Sequence, residues 1–305
     1  MGIYTDLARE AREIHPDIPG IKEEEENVGD VNISRIQVIS LDAANQLQKP
    51  MGMYITIEAP KLVERDTKVF EDVSKILSNE INRLLPDDKP DQSILVVGLG
   101  NRGITADALG PRVIEHIFVT RHITAHLPDI IGQPMRSVAA VAPGVLGTTG
   151  VETLEMLRGL VERVKPYTVI AIDALASRRA NRISTAIQLT NTGIHPGAGV
   201  GNHRLGLTQE TLGVPVIALG VPTVVYASTI TQDTIELIAE TTGSNYDIEQ
   251  MLHDAQQVIS EHFGPMIVTP KDIDTIVTDM ANILSGGLNI ALHKPYYTQI
   301  EELLA

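Results

Sequence analysis

The chain predicts an α/β fold: three layers built on a mainly parallel sheet with helices on both faces, plus a small antiparallel strand element near the amino-terminal end. Three observations carry this. Ile94–Val97, Thr168–Ile172 and Val214–Leu219 are almost uninterrupted apolar runs rich in branched aliphatics, the pattern of strands buried on both faces of a parallel sheet. Between such runs lie stretches with apolar residues at helical spacing. Aromatic residues are scarce, with 3 Phe and no Trp in 305 residues, so the core must be assembled from Val, Ile, Leu and Ala. That suits α/β layering better than an aromatic-rich β sandwich.

Taken in order, residues 1–30 hold a short helical stretch, Asp6 to Ile14, then Pro16, Pro19 and Gly20, then the acidic run Glu23 to Glu26. This composition reads as a mobile or loosely docked arm. Val31 to Ile39 and Met51 to Ile57 alternate apolar and polar residues and predict antiparallel strands outside the parallel sheet. Asp66 to Leu85 predicts a long amphipathic helix leading into a turn at Pro86 to Pro90. After the strand at Ile94–Val97, a helix is expected from Pro111 to Arg121, a strand from Ser137 to Ala142, and a helix from Gly150 to Val164. The strand Thr168–Ile172 ends on Asp173. Another, Ile183 to Leu189, opens onto the glycine-dense loop Gly193 to Gly201. Beyond Val214–Leu219, helices are expected at Ile230 to Glu240, Ile248 to His262 and Pro270 to Leu284, the last stopped by Gly286-Gly287.

Composition excludes several chemistries. With no Cys there is no disulfide, thiolate metal site or Cys nucleophile. A formal net charge of −15 opposes direct nucleic-acid binding, which needs a basic stripe. The polar, acidic opening does not resemble a signal peptide, and no apolar run approaches the roughly 18 residues of a membrane span. A soluble, intracellular protein is expected.

The chemistry centres on residues 93–113. Gly98, Gly100 and Gly103 satisfy the G-x-G-x-x-G pattern of a dinucleotide-binding turn, but that turn requires a helix to begin at once and an acid about 20 residues further on. Neither condition is met. The better reading is that the turn presents Asp107 at the carboxyl end of a central strand, where open α/β sheets place their chemistry. Asp173 shares that property. Two carboxylates converging on one cleft and sharing a proton can act as acid and base, which suffices to activate water for peptide hydrolysis. The same pair could hold a metal if His195 joined it, His195 being the weak candidate. Either Asp could instead be a helix cap or an Asx turn, and His195 could be structural.

Ten stretches then carry a resemblance: Val97-Gly-Leu-Gly-Asn101, Asp107-Ala-Leu-Gly-Pro111, Val119-Thr-Arg-His122, Ala142-Pro-Gly-Val145, Ala171-Ile-Asp-Ala-Leu-Ala176, Gly193-Ile-His-Pro-Gly197, Gly199-Val-Gly-Asn202, Thr211-Leu-Gly-Val-Pro-Val-Ile217, Gly220-Val-Pro-Thr-Val-Val225 and Val268-Thr-Pro-Lys271. Collinear over nearly the whole chain, they resemble the germination protease (spore protease) family of endospore-forming bacteria. The resemblance implies an endopeptidase made as a zymogen, which degrades small acid-soluble spore proteins during germination. It further implies a homotetramer in the cytoplasm of the forespore and spore core, with no cofactor and a fold similar to that of hydrogenase maturation proteases. The family's two proposed catalytic aspartates fall on Asp107 and Asp173. Family zymogens cut an Arg-Thr-Asp-Leu-Ala-type sequence, and Tyr4-Thr-Asp-Leu-Ala-Arg-Glu10 matches it, so self-cleavage is expected between Asp6 and Leu7. Residues 1–6 would be a propeptide. Residues 7–305 would be one protease domain, with arm, strands and helix in 7–90 and the catalytic core in 91–305. Two departures stand out: Tyr226 occupies a position where the family commonly has Asp, and the region from about Gly243 to Pro265 is shorter than in Bacillus-like members. Because the maturation proteases bind nickel at a comparable cleft, a nickel- or zinc-dependent protease is the alternative.

Overall fold

In a computed structural model, residues 5–86, 92–126, 135–195, 205–242, 247–262, 264 and 266–294 are described. The elements run α1 (Ala8–Ile14), β1 (Ile21–Val28), β2 (Val31–Val38), α2 (Leu41–Leu47), β3 (Gly52–Glu58), α3 (Thr67–Leu84), β4 (Ile94–Gly98), α4 (Leu109–Ile114) and α5 (Arg121–His126). There follow β5 (Val138–Val141), α6 (Leu146–Thr149), α7 (Thr153–Val164), β6 (Thr168–Ser177), β7 (Ala186–Thr190), α8 (Gln209–Leu212), β8 (Val216–Tyr226), α9 (Ala227–Thr242), α10 (Ile248–His262), β9 (Ile267–Val268) and α11 (Ile273–Leu292).

One sheet of 9 strands has the order β1-β2-β3-β7-β8-β6-β4-β5, with β9 added to β8. β8, β6, β4 and β5 are parallel neighbours, formed by the apolar runs that predicted them. The amino-terminal strands are antiparallel as expected, but they do not stand apart from this sheet. β7 pairs antiparallel with both β3 and β8 and so joins the two halves.

Helices cover both faces. Ile94, Val96, Ile170, Ile172, Ile217 and Leu219 point to the face packed by α3, α4 and α11. Leu95, Val97, Val169 and Ala171 point to the other face, against Leu154, Leu157 and Val161 of α7. In the antiparallel half, α1 and α2 bury Ala8, Ala11, Ala43 and Leu47 against Ile36, Val38 and Tyr54. Strand alternation assigns these residues to opposite faces.

Four expectations need correction. The acidic run at Glu23 to Glu26 is part of edge strand β1, not of a loose arm, because arginines neutralise it: Arg35 pairs with Glu24 at 3.1 Å and Glu26 at 2.8 Å, and Arg12 bonds Glu23. The helix expected from Pro111 to Arg121 is interrupted, α4 ending at Ile114 and α5 beginning at Arg121. β6 does not end at Asp173; it runs on to Ser177 because β8 continues to pair with it as far as Val225. Finally, Gly286-Gly287 does not stop the last helix. A Cβ on Gly287 would lie 2.7 Å from Leu77 Cδ2 and 3.0 Å from the Ser74 carbonyl oxygen, so the glycines let α11 pack closely on α3. The turn at Pro86 to Pro90 falls mainly outside the described residues, as does most of the glycine loop beyond His195.

Candidate active site

Asp107 is delivered by a turn in which backbone approaches backbone. A Cβ on Gly98 would lie 2.2 Å from the Gly110 carbonyl oxygen, and one on Gly110 would lie 2.3 Å from that of Leu99. Gly100 has φ +111°, and a side chain there would meet the Asp107 carbonyl oxygen at 2.0 Å. These glycines therefore hold strand β4 against the start of α4 with Asp107 folded over them. The Asn101 N–H donates to Asp107 Oδ2 at 2.8 Å, and the Asp107 N–H donates to the Ile104 carbonyl at 2.8 Å. The Thr223 hydroxyl on β8 ties the loop down through the Ala106 carbonyl at 2.8 Å. The carboxylate thus folds back onto the turn, and α4 begins only at Leu109, a poor arrangement for cradling a pyrophosphate.

Asp173 stands where β4 leaves the sheet. The last β4–β6 pair is Gly98 with Ile172, and the Leu99 N–H donates to the Ile172 carbonyl at 2.8 Å. Beyond this point β4 turns into the Asp107 loop, so Asp173 lies at the edge of that opening although its strand continues. The residue is 5% exposed and accepts the Ala174 N–H at 2.9 Å. By alternation its side chain shares a face with Val169 and Ala171. Asp107, Asp173, Asp6 and His195 line one cavity of about 930 Å³. The His195 ring is packed on Gly206, where a Cβ would meet Nε2 at 2.6 Å. Among the described residues no three His, Cys, Asp or Glu side chains form a group that could hold a metal ion. The described residues therefore supply no complete donor set for a nickel or zinc ion.

The arm is pinned at the same cleft, contrary to the loose docking expected of it. Leu7 is fully buried and Ala8 nearly so. The Asp6 N–H donates to the Ala176 carbonyl at 3.2 Å, and the Ala176 N–H donates to Asp6 Oδ2 at 2.9 Å, so Asp6 docks on the far end of β6. Glu10, fully buried, accepts the N–H groups of Arg178 at 2.7 Å and Arg179 at 2.9 Å, pairs with Arg182 at 3.2 Å, and takes the Thr5 hydroxyl. The Asp6 carbonyl oxygen accepts from Lys49 Nζ at 2.9 Å and from Gln188 Nε2 at 2.9 Å. Tyr226, on the last residue of β8, is half-buried; burial and the nearby Asp6 charge raise the pKa of its phenol. Sequence patterning does not mark Lys49, Gln188 or Glu10 as site residues. Gln188 alone left a trace, a polar residue inside the apolar run Ala186–Thr190.

A family model described as germination protease matches residues 2–255. The chain belongs to the germination protease family. It is 48% identical to the germination protease of Caldanaerobacter subterraneus subsp. tengcongensis over 316 aligned residues, covering 99% of this chain and 97% of the relative. Identity is 41% to that of Clostridium acetobutylicum, covering 95% of each chain, and 38% to that of Bacillus subtilis, covering 96% of this chain and 94% of the relative. A [NiFe] hydrogenase maturation protease, HycI from Thermococcus kodakarensis, aligns with a TM-score of 0.29 and 17% identity, covering 47% of this chain and 80% of that one; so partial an overlap carries no argument about the site. Membership in the germination protease family makes the chain a peptidase of spore germination with a protein substrate. Among the described residues no helix is long and apolar enough to cross a membrane.

Proposed function

We propose that the chain is a self-processing endopeptidase of aspartic type, in which Asp107 and Asp173 activate water and the zymogen is cut between Asp6 and Leu7. The observation that carries this reading is the single cavity lined by Asp107, Asp173 and Asp6. Two carboxylates at one cleft separate into acid and base because both cannot ionise cheaply, and the base takes a proton from attacking water. Residues 1–6 are the propeptide, and residues 7–305 the protease domain. Small acid-soluble spore proteins are the substrates in this reading, the enzyme is a homotetramer, and it works in the forespore and spore core. An extended substrate strand docks as the arm does, its N–H and an acidic side chain engaging the Ala176 backbone at the end of β6.

The test is mass-spectrometric mapping of self-processing and of small acid-soluble protein cleavage, by the wild type, Asp107→Asn and Asp173→Asn, with and without chelator. Each Asn variant should lose on the order of 10²–10⁴-fold in rate while keeping its fold, and the new terminus should be Leu7. Full activity in either variant refutes the pair. Loss on chelation that one added metal restores favours the metal-dependent alternative.

A further inference from the structure

The carbonyl of the Asp6–Leu7 peptide is held in a way that arm docking alone does not require. Its oxygen accepts two side-chain donors, Lys49 Nζ at 2.9 Å and Gln188 Nε2 at 2.9 Å. The other atom of the Gln188 amide accepts the Ala8 N–H at 2.6 Å, so this one side chain spans Leu7, holding the carbonyl of the peptide before it and the N–H of the peptide after it. That second bond fixes the amide orientation, because the carbonyl end is committed to a donor and the nitrogen must face the Asp6 oxygen. Lys49 follows the left-handed cap of α2, Gln48 at φ 53°, and its ammonium also binds the Thr5 carbonyl at 3.0 Å.

Sheet register ties these donors to the aspartates. Asp173 on β6 pairs with Gly220 on β8, and Gly220 pairs with Gln188 on β7. Asp173 and Gln188 therefore stand in one row, two strand spacings or about 10 Å apart. Between them Gly220 has no side chain, and Leu175 packs over it, since a Cβ there would meet Leu175 Cδ1 at 2.5 Å. Lys49, Gln188, Asp173 and Asp107 all line the same cavity.

Resting on the self-processing reading above, we propose that Lys49 and Gln188 are catalytic residues, an oxyanion-binding pair for the scissile carbonyl of the arm and then of substrates. Water adds to the Asp6 carbonyl carbon and gives one proton to the aspartate pair. The carbonyl oxygen becomes an oxyanion held by the ammonium and the amide, donors already in place where charge develops. Collapse breaks the carbon–nitrogen bond, the proton passes to the Leu7 nitrogen, and the products are a free carboxyl group on Asp6 and a new amino terminus on Leu7. Burial lowers the pKa of Lys49, which Asp6 and Glu10 oppose; in so poorly hydrated a place an anion developing on the carbonyl gains most from an ammonium donor. Both donors read backbone, so the pair serves any strand that replaces the arm.

The experiment follows the first-order appearance of the Leu7 terminus in the full chain for the wild type, Lys49→Met, Lys49→Arg and Gln188→Met. Hydrogen exchange of the peptide covering residues 5–14 and a thermal melt are measured on the same samples. Lys49→Met and Gln188→Met should each process about 10²–10³-fold more slowly with arm protection retained, and Lys49→Arg should recover part of the rate. A variant that processes at the wild-type rate overturns the proposal, as does a slowing that only follows loss of arm protection. If the wild type itself never yields Leu7, the self-processing reading fails and the inference with it. A wild type that does, beside Met variants that match it, sinks the inference alone.

Discussion

The two halves of the sheet bury charge for different ends. In the antiparallel half, buried charges saturate one another: Arg35, 3% exposed, meets Glu80 through two bonds of 2.9 and 2.6 Å, and Arg182 joins Glu10, Glu13 and Glu58. Burial alone would lower the pKa of Arg182, but its carboxylate partners together outweigh it, and Glu80 above all raises that of Arg35; both guanidinium groups hold the arm and the edge strand in place. In the parallel half the strands are apolar, and Asp107 and Asp173 border the cleft at their carboxyl edge. One half spends ionic contacts on architecture, while the other places carboxylates where a substrate would reach them.

The contrast breaks if removing an ion pair of the first half stops the chemistry directly. Arg35→Met leaves Glu80 buried, with Arg83 at 3.3 Å as its remaining ion-pair partner, and should cost about 3–5 kcal/mol in a denaturant titration. The self-processing rate at a temperature where the variant remains folded should stay within about twofold of wild type. A selective collapse of rate would show that the ionic half enters the reaction. Gly98→Ala should do the reverse. Its Cβ would be forced to 2.2 Å from the Gly110 carbonyl oxygen and 2.6 Å from Ile114 Cγ1, which costs about 1–3 kcal/mol. The displaced Asp107 turn should slow processing by on the order of 10²-fold. Unchanged processing in that variant would detach the glycine turn from catalysis.

The same division governs how much was legible. The parallel strands could be read because a strand buried on both faces must be apolar, and the two aspartates because each follows such a run or its glycine turn. Edge strand β1 could not: four successive Glu residues read as solvated until Arg9, Arg12 and Arg35, distant in sequence, are brought beside them. The extension of α11 through Gly286-Gly287 depended on the surface of α3, which no local rule contains. Lys49 was invisible because its partners are backbone carbonyls, and Gln188 showed only as a polar break in a strand. Glycine spacing near residue 98 resembled a phosphate-binding turn because both arrangements require close backbone approach, and only the atoms approached distinguish them.

The smallest effect tests whether the parallel half contains, besides its aspartates, a buried ionisable group that is costly to charge. His293, at the end of α11, is 1% exposed; its Nε2–H donates to the Phe118 carbonyl at 2.9 Å, and Nδ1 has no hydrogen-bond partner among the described residues. Burial lowers its pKa, the Phe118 bond opposes this, and the positive charge of Arg136 adds to the lowering. The unfolded chain therefore binds the proton more readily. The stability from neutral His293 is fully present above the ordinary imidazole value of about 6.5 and is lost as pH falls through the interval down to the folded pKa. The slope from one such group is at most about 1.4 kcal/mol per pH unit. Denaturant titrations of the wild type and His293→Gln from pH 7.5 to 5 should show the variant less acid-sensitive by up to that slope. Identical slopes would mean that the imidazole finds a way to take up its proton in the folded state.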